Sequence, residues 1–123
     1  MEKSLNKVGQ FDYDYANDIL FFKVKDREYS HSVELSSLVI DFDEENFIVG
    51  LQIMNASEVF QLSKKILLGV SGFNMQAKIV DGAIQINLSF GMVERNKQMI
   101  EYKPIIFDRV GPEVPDSKIS CIA

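Results

Sequence analysis

The sequence predicts an α+β fold, a mostly antiparallel β-meander with one central helix and a second set of strands after it. Three observations predict this class. Apolar and polar residues alternate in several runs before residue 54, as in strands with one wet face. Apolar residues then recur at helical spacing from about Ser57 to Leu68. Alternation returns on both sides of Asp81-Gly82, a two-residue hairpin signal.

The strands of the first half are predicted from period-two alternation and from apolar density. They cover residues 11–15, 19–24, 29–35, 38–42 and 47–54. The last two flank the acidic turn Asp41 to Glu45, which predicts a hairpin. Gly50 interrupts the final strand and predicts a bulge or a close approach of another chain segment.

The helix is predicted to start after Asn55, whose side chain could accept a free backbone N–H while Glu58 reaches back to the cap. Gly69 suits the end of this helix, because glycine readily adopts the left-handed cap. One apolar face carries Val59, Leu62 and Ile66.

The second set of strands follows from residue 73. Ile84 to Met92 forms the cleanest alternating run, and another strand is predicted from Gln98 to Phe107. Pro104 places the later part of that strand at a sheet edge, because proline cannot donate to a ladder. From Gly111 onward prolines and small polar residues predict poor order. We therefore expect one domain over residues 1–110 and a flexible tail over 111–123.

Composition limits the classes of partner and compartment. The 123 residues suffice for one domain. Residues 1–62 carry twelve Asp and Glu against five Lys and Arg, which disfavours direct nucleic-acid binding and favours a basic protein partner. No apolar run approaches the roughly 20 residues of a membrane helix. The single Cys121 and an opening segment without a signal-peptide core predict a cytoplasmic protein.

The acidic turn invites interpretation as a calcium loop, but its spacing does not fit. Asn46 stands where the sixth-position glycine is required, and Gln52 stands where the bidentate glutamate is required. Solvated turns and wet strand faces are the expected environment for all of these carboxylates, which also disfavours acid–base catalysis. The carboxylates concerned are Asp12, Asp14, Asp18, Asp41, Asp43, Glu44 and Glu45.

His31 is the chain's one histidine. In a strand, Ser30, Ser32 and Glu34 point to the face opposite His31, so a local catalytic triad cannot assemble. We expect a packed or interface histidine. The sequence accordingly predicts no catalytic, cofactor-binding or metal-binding residue.

The run Phe11-Asp12-Tyr13-Asp14, followed by residues 16–22, resembles the opening of domain-of-unknown-function family 2283. The likeness continues through 39–43, 48–51 and 53–57, so that it covers residues 11–68 overall, with Asn55 where the family usually has aspartate. The resemblance implies a small prokaryotic β-meander closed by a helix, without enzymatic activity. Some members are thought to be encoded beside small toxin-like proteins, which implies an antitoxin-type role.

Together these observations predict a non-catalytic module that acts by homo-oligomerisation or protein binding. A homodimer would form by edge pairing or sheet-face packing, with apolar area supplied by Ile84 to Met92 and by the aromatic residues of the first strands. The alternative is a small-ligand-binding protein or hydrolase that uses acidic residues and His31 in a cleft between the helix and the second set of strands.

Overall fold

The computed structural model describes residues 3–94 and 98–122, with side chains for 9–92 and 101–120. These residues form one sheet and two short helices. In chain order the elements are β1 (Lys3–Asp14), β2 (Ile19–Val24), β3 (His31–Glu34), β4 (Leu38–Phe42), β5 (Ile48–Ile53), α1 (Ala56–Phe60), α2 (Lys64–Leu68), β6 (Ser71–Val80), β7 (Ala83–Glu94), β8 (Gln98–Tyr102), β9 (Ile105–Arg109) and β10 (Ser117–Ile122). The strand-rich α+β class is confirmed.

The long strand β1 joins two half-sheets. Its residues Gly9–Asp14 pair antiparallel with β2, and the strand order beyond is β5, β4 and β3 at the edge. Its residues Lys3–Val8 pair parallel with β10, followed by β6 and β7. Both β8 and β9 then pair with β7. We call these parts the N-terminal and the C-terminal half-sheet.

The two half-sheets share one hydrophobic core. Phe73, from β6, is its central aromatic residue. The ring of Phe22 in β2 lies 5.2 Å from the Phe73 ring, and the Phe90 ring of β7 stacks on Phe73 at 5.9 Å. Because side chains alternate across a strand, the residues on either side of Phe73 in β6, Gly72 and Asn74, are exposed.

The predicted hairpins are confirmed. At Asp81-Gly82 both residues have positive φ, 51° and 75°, as a tight turn between β6 and β7 requires. The ladder of β4 and β5 changes register beside Asp41. A Cβ on Gly50 would lie 2.6 Å from Oδ2 of Asp41, so both the bulge and the close approach predicted at Gly50 are present.

The single helix predicted from Ser57 to Leu68 is instead two helices. Gln61 ends α1 in a left-handed conformation at φ 54°, and the Ser63 side chain starts α2 by accepting a hydrogen bond from the Ile66 N–H at 3.2 Å. The break lets Phe60 pack edge-on against Phe90 at 5.8 Å. Neither of these helices has the length or apolar character needed to cross a membrane.

The last strands differ in part from expectation. The predicted strand from Gln98 is split into β8 and β9 around Pro104, and its later part lies at an edge, as predicted. Residues 117–122, expected in a flexible tail, form β10 between β1 and β6. Ile119 of β10 is buried in the core, which explains why this short segment joins the sheet.

Candidate interaction surface

Asp43, in the acidic turn between β4 and β5, is buried rather than solvated. Its carboxylate forms a salt bridge with Arg27 of the β2–β3 loop. It also accepts hydrogen bonds from the backbone N–H groups of Glu45 at 2.9 Å and Phe47 at 3.0 Å. The hydrogen bond to Asp43 is the main cause that raises the pKa of Arg27. The solvated turn was therefore the wrong prediction for Asp43, whereas Glu44 is exposed as expected.

A shallow hollow of about 510 Å³ lies beside this salt bridge. Its rim is acidic, but Arg27 already binds Asp43 and lies 3.3 Å from the Glu45 carboxylate. The Arg27 guanidinium also sits over the Phe47 ring at 5.2 Å. The charges at this rim thus fasten the β2–β3 loop to the β4–β5 turn.

Asp18 is also buried, which corrects the prediction of an exposed turn residue. Its Oδ1 accepts hydrogen bonds from the Tyr13 hydroxyl at 2.6 Å and the Ser57 N–H at 3.0 Å, and its Oδ2 accepts one from the Ser57 hydroxyl at 2.6 Å. Burial disfavours the charged form, but these hydrogen bonds outweigh it and lower the pKa of Asp18. Burial and the bond to Asp18 raise the pKa of Tyr13. An ionised Asp18 therefore fixes the start of α1 to β1 and β2.

The N-terminal cap of α1 comes from a residue that local sequence reasoning could not identify. Asn55, the predicted cap, has φ 51° and makes no side-chain cap hydrogen bond. Asp18 supplies the acceptor instead, from 39 residues earlier in the chain. Such a distant cap has no signature in the residues next to the helix.

His31 is exposed on the edge strand β3, and an interface role for it stays a prediction. Its ring stacks on that of Phe42 at 5.4 Å, with 15° between the planes. On the opposite face of the same strand pair, the Ser32 hydroxyl donates to Oδ1 of Asp41 at 2.5 Å. Within the residues whose side chains are described, no three His, Cys, Asp or Glu side chains are grouped as metal ligands. The structure does not bring His31 and the acidic residues together.

A second hollow, of about 520 Å³, lies on the outer face of the N-terminal half-sheet. It surrounds the bulge, because Gly50 is paired with Lys23 on one side and with Asp41 on the other. Tyr29 and Gln52 also line it. Its polar groups could contact a small polar molecule.

The apolar face of β7, which was expected to contact a partner, is buried in the protein's own core. Ile84, Ile86, Leu88, Phe90 and Met92 are all buried. An exposed apolar surface occurs instead one strand further out.

The exposed surface lies along β8 and β9, and we call residues 101–109 the β8–β9 edge. Phe107 is 69% exposed and Ile105 is 55% exposed. Between them Ile106 packs against the core. The same alternation places a charged residue before and after the apolar pair on the outer face. The outer side chains of the edge are Glu101, Lys103, Ile105, Phe107 and Arg109.

The backbone of the same five residues is directed away from β7. The Leu88 N–H donates to the Pro104 carbonyl at 3.0 Å, and the Val110 N–H donates to the Gly82 carbonyl at 2.9 Å. Residues of an antiparallel strand alternate between facing their partner strand and facing away from it. Residues 104, 106 and 108 therefore face β7, and the odd-numbered residues face outward. Pro104, which has no N–H, lies at an inward-facing position.

Comparisons place the first half of the chain in a family. The model of a family described as "Protein of unknown function (DUF2283)" matches residues 10–57. An uncharacterized protein of Methanocaldococcus jannaschii is 33% identical over 93 residues, which cover 75% of this chain and 80% of that protein. The chain belongs to the DUF2283 family.

Another relative of this DUF2283 protein comes from Methanosarcina mazei. It is named "Putative hypoxanthine phosphoribosyltransferase" and is 29% identical over 90 residues, which cover 73% of each chain. No solved structure matches the chain.

The DUF2283 segment and the β8–β9 edge are separate parts of the molecule. Residues 10–57 contain both buried carboxylates, Asp18 and Asp43, with their hydrogen-bond donors. The edge lies outside that segment. Its sequence signal was Pro104 within an apolar strand, which predicted the edge position but not the exposure of Phe107.

Proposed function

We propose that this DUF2283 protein is a non-catalytic cytoplasmic interaction module, which acts by binding a second copy of itself or another protein through the β8–β9 edge. The observation that carries the proposal is the exposure of Ile105 and Phe107 on a strand that, among the described residues, pairs with β7 alone. An edge strand with exposed apolar side chains readily accepts an added strand.

The buried carboxylates support a structural role for the polar network. A general acid or base must have a carboxylate oxygen within reach of a substrate. Both oxygens of Asp18 accept hydrogen bonds from within the chain, and the Asp43 carboxylate is engaged by Arg27 and two backbone N–H groups. Through these contacts Asp18 holds α1 against β1, and Asp43 holds the β2–β3 loop against the β4–β5 turn.

The test compares Phe107→Lys with Val59→Lys, which replaces a 39% exposed valine on α1. Native mass by light scattering and the proteins recovered with a tagged chain from native lysate are measured for both. We expect association, with itself or with a partner, to be lost in Phe107→Lys and kept in Val59→Lys. The proposal would be contradicted if the wild-type chain were monomeric and the same proteins were recovered with the wild type and with Phe107→Lys.

The sharper form of the proposal is an antitoxin-like protein that neutralises a basic partner. Its support is the family resemblance and the twelve acidic against five basic residues in residues 1–62. Such a partner should be recovered in stoichiometric amount and released by salt, because surface charge pairs are screened. Recovery of no stoichiometric basic protein would remove this form.

A small-ligand-binding protein or hydrolase is the second candidate, favoured by the 520 Å³ hollow beside Gly50. The name of the M. mazei relative suggests hypoxanthine and a phosphoribosyl donor as first probes. Thermal shift and turnover would be measured for the wild type, Lys23→Ala and His31→Ala. A shift or turnover abolished by Lys23→Ala and kept in His31→Ala would support the hollow, because Lys23 lines it and His31 lies on the other face of the sheet.

A further inference from the structure

We propose that the β8–β9 edge pairs antiparallel with the same edge of a second copy, about a two-fold axis at Ile105. The pairing sets Glu101 of each protomer opposite the partner's Arg109. This inference rests on the proposed function and names its occupant.

The backbone of the edge is suited to this pairing. Its outward N–H and C=O groups belong to residues 101, 103, 105, 107 and 109. About the Ile105 axis these five residues oppose one another across the two copies. Each opposed pair exchanges two hydrogen bonds, which gives about ten in total once the Arg109 N–H, which donates to Oδ1 of Asp108 at 2.8 Å in the protomer, turns to the partner strand. Pro104 falls at an alternate position, so its missing N–H removes none of them.

The side chains of the edge are complementary to themselves. In the protomer, Ser89 and Lys103 both contact Oε1 of Glu101, at 2.9 and 3.7 Å, and Oε2 accepts no hydrogen bond within the described residues. Arg109 forms no salt bridge with any described carboxylate. The pairing joins the guanidinium of Arg109 to the open oxygen of Glu101, twice by symmetry. Each Phe107 ring receives the aliphatic stem of the partner's Lys103.

Other antiparallel registers lose this complementarity. An axis at Lys103 would place two ammonium groups directly opposite each other. An axis at Phe107 would place Arg109 opposite the partner's Ile105 and would leave Glu101 beyond the end of the partner's β9, so the Glu101–Arg109 pairs would be lost. Like charges directly opposed on neighbouring strands are destabilising. The charge pattern of the edge thus favours the axis at Ile105.

Disulfide trapping reads the register directly, in a Cys121→Ser background. Ile105→Cys should cross-link on mild oxidation, because directly opposed residues have Cα atoms about 5.5 Å apart, within disulfide reach. Phe107→Cys is the matched control. Its two copies would be about 14 Å apart, since four residues of strand offset them. Cross-linking through Phe107→Cys, alone or as readily as through Ile105→Cys, overturns the register.

Charge reversal provides the second measurement, by light scattering on dilution. Glu101→Arg and Arg109→Glu should each raise the dimer Kd about tenfold or more, since both symmetric pairs become repulsive. The double variant should return close to the wild-type Kd, because it restores each pair with its signs exchanged. Failure of this rescue, or equal Kd values for all variants, argues against the pairing.

The outcomes separate this pairing from the proposed function. A wild-type dimer that fails both tests sinks the pairing and leaves the interaction module standing. A monomeric chain that loses another protein on Phe107→Lys also sinks the pairing and assigns the edge to a different partner. A monomeric chain with no Phe107-dependent partner sinks both.

Discussion

The two edges of the sheet offer a partner very different amounts of backbone. At the β3 edge the Leu35 N–H donates to the Leu38 carbonyl at 2.7 Å, which sets the alternation so that Ser32 and Glu34 face outward. At the β8–β9 edge five residues face outward, from Glu101 to Arg109. A strand added at β3 could form few bonds before the edge ends.

The side chains of the two edges differ in the same direction. Glu28 and Glu34 are exposed near β3, where self-pairing would bring like charges together. The β8–β9 edge instead exposes Ile105 and Phe107 between charges of both signs. The DUF2283 segment therefore protects its own sheet edge against strand addition, whereas the strands after it leave the β8–β9 edge accessible to another strand.

The largest expected effect is on the contact that holds the loop before β3. Asp43→Ala should reduce the free energy of unfolding by about 3 kcal/mol, because it leaves Arg27 without its main partner and two backbone N–H groups without an acceptor. Urea titration measures the change. Glu44→Ala, at the exposed neighbouring position, is the control and should change little. Equal losses in both variants would mean that the salt bridge does not secure this loop.

The next effect concerns the link from β1 to α1. Asp18→Asn should cost about 2 kcal/mol, because the charge that receives three hydrogen bonds is removed. Asparagine tolerates the φ of 56° at this position, so the backbone is preserved. Asp26→Asn is the matched control, at an exposed turn residue with φ 67°. Unfolding by urea at neutral pH compares them.

The same variant carries a pH dependence with a defined sign. The folded pKa of Asp18 is lowered from its ordinary 3.8, so its contribution is present above that value and is lost as the pH falls through the folded pKa. The wild type should therefore lose stability below about pH 4. Asp18→Asn should lose less over the same range. If the wild type and Asp18→Asn lost the same amount of stability as the pH falls, Asp18 would not be the cause of the acid sensitivity.

These contacts mark where sequence reasoning succeeds and where it stops. β2 and β4 were predicted with their observed bounds, because alternation and turn residues are local signals. The partnership of Asp18 with Ser57 joins residues 39 positions apart and leaves no local trace. The insertion of β10 between β1 and β6 was missed for the same reason, since only the assembled sheet creates a place for Ile119.

A smaller effect is expected at the bulge between the edge and the core. Gly50→Ala should cost about 1–2 kcal/mol, because the new Cβ would lie 2.6 Å from Oδ2 and 3.1 Å from Cβ of Asp41. Asp41 must then move away from Ser32, which loosens β3. Gly69→Ala is the control, since its nearest atom would be 3.8 Å away. If thermal unfolding showed the same loss of stability for both substitutions, the Asp41 side chain would be able to move away from the new Cβ at little cost.

The smallest expected change in stability tests what closes the β3 edge. Glu28→Gln with Glu34→Gln should alter the free energy of unfolding by less than about 0.5 kcal/mol, because both side chains are exposed. If their charge guards the edge, the variant should form assemblies beyond the dimer as its concentration rises, while Glu58→Gln should not. Light scattering distinguishes them. An unchanged mass would show that the shortness of β3 is sufficient protection, and the contrast between the edges would then rest on backbone alone.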